Sequence, residues 1–422
     1  MTSFRLADDA SQPPATRAER VALGATTIFL LVAPSAASGG LRATCLIVAM
    51  LALVAIRPWR ELSSERPLPW ALFGAFASWS ALALASLAWS ADPRHTWEEL
   101  RAETFYSSLA FGVFFLAATS SERWKRWWIA LIAGTLLAFA ASAIQQGLGI
   151  ELQRHPPDGG VGPFSTHLVL VAPLLVALVC PAPWGLRRST LALAGALGTL
   201  VAAAWLTRDA SGPPNRIVWP SLLSAFGMAV LAARSAVGLR LEGLPGLRRT
   251  IALGAIAIVL AFLAAIAAKN ERFYPNDPSV LSSIERDLRP RLWSVAWSEW
   301  KAAPWLGHGF GREIRASAFL QETPPILGHP PVRHGHNMLL NIALQLGIVG
   351  VGLFAAVLVL LAREYARFLA EPAIASLGII GLALLTGFLV KNLTDDFLHR
   401  HNAQVFWALN GMLLGLAQRA RR

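Results

Sequence analysis

The densest run of reactive side chains in the sequence is His334-Gly335-His336-Asn337, which leads into Asn341 and Gln345. Asn337, Asn341 and Gln345 recur every fourth residue, so they share one face of a predicted helix with His336 at its N-terminal end. The positive end of the helix dipole disfavours an imidazolium there. A neutral ring, with an ordinary pKa of about 6.5, accepts a proton near neutral pH and so offers general-base chemistry. Histidines that only cap a helix and meet headgroups have the same spacing. Two arginines offer complementary chemistry: Arg216 in Asn215-Arg216-Ile217-Val218-Trp219, and Arg291 in Arg291-Leu292-Trp293. A guanidinium stays charged and grips two phosphate oxygens in one plane, which suits it to holding a diphosphate. An arginine at a membrane boundary also snorkels without any such role.

Weaker patterns surround these. Glu285-Arg286-Asp287 is an acid-x-acid triplet, but a hard cation wants several oxygen ligands, and no metal site is expected from three residues. Lys391, Asp395, Asp396, Arg400 and His401 cluster near the C-terminus, where they either contact a substrate or form ordinary salt pairs. The binding candidates are Asn337, His334, Arg312, Asp396, Arg400 and Arg154. Cys45 and Cys180 lie in or beside apolar runs and suggest neither a disulfide framework nor a metal site.

The elements that must position these groups are set by composition. Of 422 residues, 55% are hydrophobic and 15% charged, against roughly 45–50% and about 25% in soluble domains. Apolar runs recur at lengths able to cross roughly 30 Å of hydrocarbon as helices, and they lack the alternation of barrel strands. The expected fold is all-α with about 12 spans, near 21–37, 43–56, 70–89, 105–119, 127–147, 164–181, 189–206, 217–233, 250–268, 338–362, 372–390 and 405–416. The first twenty residues are polar enough to read as a cytoplasmic head on a retained first helix rather than as a cleaved signal. Of the 37 Lys and Arg, 20 fall on the N-terminal side of this layout and 8 in the opposite short loops. The positive-inside rule therefore puts both termini in the cytoplasm. The net charge of +12 follows from that topology, and no nucleic-acid partner is expected.

The expected organisation is a cytoplasmic segment at 1–20, nine spans over 21–268, a periplasmic loop over 269–336, three spans over 337–418, and a tail at 419–422. Trp293, Trp297 and Trp300 mark one face of an interfacial helix in the long loop. Between the span ends almost no ionisable side chain is expected, His167 being the main exception. Charges kept at the outer water boundary disfavour an ion-coupled transporter or flippase.

Several motifs together resemble the O-antigen ligase and polymerase superfamily. They are Arg291 to Trp300, then Pro304-Trp305-Leu306-Gly307-His308-Gly309-Phe310-Gly311, then His336-Asn337 with Gly347 and Gly350. Leu87 to Pro93 is similar to an early-loop segment of that family. Asn215 to Trp219 is similar to its Ser-Arg-Gly-x-Trp pattern, with Asn215 and Ile217 in place of small residues, and His329 adds a third histidine near the site. The resemblance implies a fold like that of C-type membrane glycosyltransferases in the bacterial inner membrane, with no cofactor. It implies a metal-independent, inverting transfer at the periplasmic face, from an undecaprenyl-diphosphate-linked glycan donor to a lipid A-core acceptor, among membrane lipids. His336 would be the base, and Arg216 and Arg291 would stabilise the leaving diphosphate. An O-antigen polymerase shares the donor. A protein O-oligosaccharyltransferase does too, but often carries a larger C-terminal extension.

Overall fold

A computed structural model describes residues 16–61, 68–147, 161–175, 217–236, 289–322 and 332–420, and all the regular structure among them is helical. The expected spans at 189–206 and 250–268 lie outside these residues. So do Arg154, Arg216, the acidic triplet at 285–287, His329 and Cys180.

The first half of the chain forms α1 (Arg17–Val32), α2 (Gly39–Ile56), α3 (Trp70–Ala85), α4 (Pro93–Glu99), α5 (Tyr106–Ala117), α6 (Ser121–Gly147) and α7 (Val161–Val171). The second half adds α8 (Val218–Ser235), α9 (Arg289–Ala302), α10 (Ala316–Glu322), α11 (Met338–Phe368), α12 (Ala375–Asn392) and α13 (Arg400–Arg419). Five of the described helical stretches are long and apolar enough to cross a bilayer: Gly39–Ile56, Trp70–Ala88, Val218–Ser235, Met338–Phe368 and Ala375–Asn392. Helix starts follow local chemistry. Thr16 and Glu19 form a reciprocal capping box on α1. Asp92 accepts from the His95 amide, and Pro93 fills the first turn of α4.

The core is aromatic and interlocked. Phe76, Phe111 and Trp407 join α3, α5 and α13, while Trp79, Phe310 and Phe354 join α3 to the later loop and α11. Helices α5 and α13 pack along one another. Gly411 and Gly415, one turn apart, face the carbonyls of Phe111 and Phe115 so closely that a methyl at either position would collide with backbone. Small residues at that spacing let helices approach where lipid supplies no hydrophobic drive between them.

The interior corrects one expectation. Arg42, assigned to an outer loop, lies inside α2 and is only 3% exposed. Its guanidinium donates to Gln404 Oε1 at 3.2 Å, the Ser35 carbonyl at 2.5 Å and Ser38 Oγ at 2.6 Å. Lys391, in the last turn of α12, is fully buried. Hydropathy misplaces both because it counts the charge and not the polar partners that let a long cationic side chain be enclosed: Asp395 for Lys391, and Ser35, Ser38 and Gln404 for Arg42. His167 is also fully buried, and its Nε2 pairs with Thr135 Oγ1 at 2.9 Å.

Candidate functional site

The site is built around an interruption in α11. Gly347 sits at φ 64°, ψ −165°, a conformation open essentially to glycine alone, and it splits the helix after its first turns. The split frees backbone groups, which the Pro304–Gly311 segment takes up. The amides of His308 and Gly309 donate to the carbonyls of Leu344 and Gln345 at 2.9 and 3.0 Å. On the other side, the amides of Ile348 and Val349 donate to the carbonyls of Pro304 and Trp305 at 2.9 and 3.3 Å. Across this junction Gly307 faces the backbone of Gln345 and Leu346, and Gly347 that of Trp305 and Leu306, and neither has room for a Cβ. Gly307 and Gly347 are thus explained by a backbone-to-backbone clasp, while Gly309 lies against Ser90 and Gly311 against the His95 side chain.

The same segment anchors the early loop. The Ala91 amide donates to the His308 carbonyl at 2.8 Å, Trp89 Nε1 to the Leu306 carbonyl at 3.1 Å, and the Phe310 amide to Ser86 Oγ at 2.9 Å. Residues 86–92, 304–311 and the start of α11 therefore form one rigid unit at this end of the bundle.

His336 stands just before the cap of α11, at φ 46°, a left-handed conformation uncommon for a residue with a side chain. Asn337 is the cap. It accepts from the Leu340 amide at 3.0 Å and donates to the Leu393 carbonyl at 2.9 Å, tying the helix start to the segment after α12. The His334 and His336 rings lie 4.2 Å apart, and the His336 amide points to His334 Nδ1 at 3.3 Å. Nδ1 of His336 is 3.6 Å from Asp395 Oδ1, an ion-pairing separation rather than a hydrogen bond. The ring remains about a third exposed.

Asp395 is held from several sides. Lys391 Nζ lies at 2.5 Å and an Arg289 guanidinium nitrogen at 3.8 Å. Burial works to raise its pKa, yet the Lys391 charge, contacts with His336 and Lys391, and the Arg289 charge together hold the carboxyl well below its ordinary range. His334 is driven the other way by burial and by the charges of Arg312, His336 and His399, so its ring stays neutral. Asp396 takes Arg312 Nε at 3.3 Å and Asn341 Nδ2 at 2.5 Å, and the Gln345 side chain accepts from the Gly311 amide at 3.0 Å. The predicted face of α11 is therefore an organised row: Asn337 on Leu393, Asn341 on Asp396 and Gln345 on Gly311.

Of the residues singled out from sequence, His334, His336, Asn337, Arg312 and Asp396 come together. Arg291 lies on the exposed side of α9, whereas Arg289, two positions earlier, reaches the Thr394 carbonyl at 2.9 Å and Asp395. Positions two apart on a helix point about 200° away from each other, so only one of the two arginines can face the cluster. Arg400 has an exposed side chain and enters through its backbone amide, which donates to both oxygens of Glu103 at 2.6 and 2.8 Å. Glu99, Glu103 and His399 were not anticipated. Their ligand-type atoms lie within 4.8 Å of one another. His399 Nδ1 sits 3.0 Å from Glu103, and Glu99 has its pKa raised, first by burial. Glu103 is already engaged by the Arg400 amide and His399, whereas a buried Glu99 oxygen, 3.7 Å from His399 Nδ1, has no hydrogen-bond partner.

These features describe a polytopic helical membrane protein whose polar centre, at one end of the bundle, sets a partly exposed imidazole beside a charge-locked carboxylate. Residues 165–355 match the O-antigen ligase family. The chain is also similar to an O-antigen ligase of Pseudomonas aeruginosa, 26% identical over 291 residues, which is 68% of this chain and 63% of that protein, so the match spans less than two thirds of the relative. The matched stretch contains His334, His336, the glycine clasp and Arg312 but ends before Lys391, Asp395 and Asp396, which complete the cluster.

Proposed function

We propose that this protein is a membrane glycosyltransferase that moves O-antigen glycan from undecaprenyl diphosphate to a hydroxyl of lipid A-core oligosaccharide. The observation that carries this reading is the position of His336 against Asp395 at the head of α11. With Nδ1 turned toward the carboxylate, Nε2 is the nitrogen that takes the acceptor proton, and Asp395 stabilises the imidazolium that results. His334, kept neutral, adds no competing positive charge beside it.

The acceptor oxygen attacks the anomeric carbon from the face opposite the diphosphate, so the product has inverted configuration. Arg216 holds the departing diphosphate by charge, while Arg291, on the exposed side of α9, does not face the cluster. A diphosphate leaves readily without a protonating acid, so neither a metal nor a carboxylate pair of the hydrolase type is required. The base is worth about 10²- to 10⁴-fold in rate. About twelve spans, a C-type glycosyltransferase fold, an inner-membrane location with cytoplasmic termini and a periplasmic site complete the proposal. The arginine-rich N-terminal side and the match of residues 165–355 to the O-antigen ligase family support it.

The test is reconstituted transfer with purified protein, lipid-linked donor and lipid A-core. His336→Ala is expected to lose at least about 100-fold in rate; near-normal transfer by that variant would overturn the assignment. A product carrying glycan on a second lipid-linked glycan, with none on lipid A-core, would make the protein a polymerase instead.

A further inference from the structure

The cluster of Glu99, Glu103 and His399 takes no part in the proposed transfer, and its charges do not balance. Glu99 and Glu103 are 9% and 8% exposed. Among the described residues, the one basic side chain within ion-pairing distance of either is His399, whose Nδ1 lies 3.0 Å from Glu103 Oε1 and 3.7 Å from Glu99 Oε2. One imidazolium offsets one carboxylate at most, and a buried charge without compensation is strongly disfavoured. Glu99 is the group left over: its Oε2 faces His399, is closed off from solvent and accepts no hydrogen bond. His95, one turn earlier on α4, borders it, because a Cβ at Gly311 would lie 2.7 Å from His95 Nε2 and 3.4 Å from Glu99 Cγ. That Nε2 is also enclosed without a partner.

The separations narrow what would balance the pair. Tetrahedral ligands about 2.1 Å from a zinc ion stand about 3.4 Å from one another. The 3.0 and 3.7 Å distances straddle that value, and the three ligand-type atoms all lie within 4.8 Å of one another. An imidazole nitrogen beside carboxylates suits Zn²⁺, whereas Mg²⁺ and Ca²⁺ take oxygen ligands. The Arg400 amide donates to both Glu103 oxygens at 2.6 and 2.8 Å, which fixes the plane of that carboxylate and still leaves it lone pairs for a metal. We propose that Glu99, Glu103 and His399 form a Zn²⁺ site, with His95 or a water in the fourth position, that pins the end of α4 to the start of α13. His399 closes the segment between α12 and α13 that carries Asp395 and Asp396, so the cation holds that segment against the early loop. It acts on the fold and not in the transfer step, and the inference stands apart from the glycan-transfer reading.

The test uses the full chain in nanodiscs, treated with a chelator and then titrated with Zn²⁺ or Mg²⁺ while heat of binding and melting temperature are followed. The parent protein is expected to bind Zn²⁺ and to melt higher with it, and to show no response to Mg²⁺ at the same concentration. Glu99→Gln and His399→Gln each remove one ligand at little change in size, and each should weaken Zn²⁺ binding at least about 10-fold and abolish the melting shift. Zn²⁺ that binds the parent protein and both variants alike would be sitting on other histidines, and would overturn the proposal. No binding to the parent protein would overturn it as well, and would mean that Glu99 is neutralised by a proton. Co²⁺ supplies a measurement on the unaltered chain that does not depend on how the variants fold. Bound in place of Zn²⁺, it should give the visible absorption of a four-coordinate nitrogen and oxygen site, and the weak spectrum of a six-coordinate ion would refute the assignment.

Discussion

Gly347→Ala tests the clasp that holds the site. The substitution forces a side chain into φ 64°, ψ −165°, at about 1–3 kcal/mol. It also drives a Cβ into the Trp305 carbonyl and to 2.5 Å from the Leu306 amide, neither of which can yield as a flexible side chain would. Four backbone hydrogen bonds bracket the break. If two are lost, at about 1 kcal/mol each, the total loss is about 3–5 kcal/mol. Gly352→Ala, in the regular part of α11 with nothing within 4 Å of the new methyl, is the matched control and should gain about 0.5–1 kcal/mol. Thermal unfolding of the two variants in the same detergent should therefore move in opposite directions, with transfer activity falling only for Gly347→Ala. If Gly347→Ala unfolded at the temperature of the parent protein, the positive φ and the clasp would both be wrong.

Asp395→Asn removes the anion that compensates fully buried Lys391 and should cost about 3–5 kcal/mol in thermal unfolding, much of it recovered when Lys391→Met is added. His334 stays neutral in the folded chain, so as pH falls below its unfolded pKa of about 6.5 the unfolded state binds a proton that the native state refuses, and stability declines. The drop in melting temperature between pH 7.5 and pH 5.5 should accordingly be smaller in His334→Gln than in the parent protein. Tyr365→Phe strips the 2.7 Å donor from buried Asn410 Oδ1, and unfolding should show a loss of about 1–3 kcal/mol.

Helical character and most of the described segments were legible from sequence because apolar runs of span length admit little else in a bilayer. The expected span at 338–362 matches the start of α11, and Asn337 caps it as its residue type favours. Hydropathy had no means of seeing the interruption at Gly347, since a glycine inside an apolar run looks the same whether it is helical or clasped. His334, His336, Arg312 and Asp396 were found by residue type and spacing. Arg289 was passed over for Arg291, because choosing between them needs the helix phase relative to a partner a hundred residues away. Glu99, Glu103 and His399 carried no local signal at all: their meaning lies in a contact spanning 297 positions, between Glu103 and the Arg400 amide.

That contact ties the reactive end of the molecule to the order of its synthesis. The early loop, the clasp and the segment after α12 leave the ribosome at widely separated times, and the imidazole gains its carboxylate neighbour only when α12 and α13 have joined the bundle. A nascent or stalled chain already exposing its histidines would thus lack the anion that sits beside the His336 ring in the finished bundle.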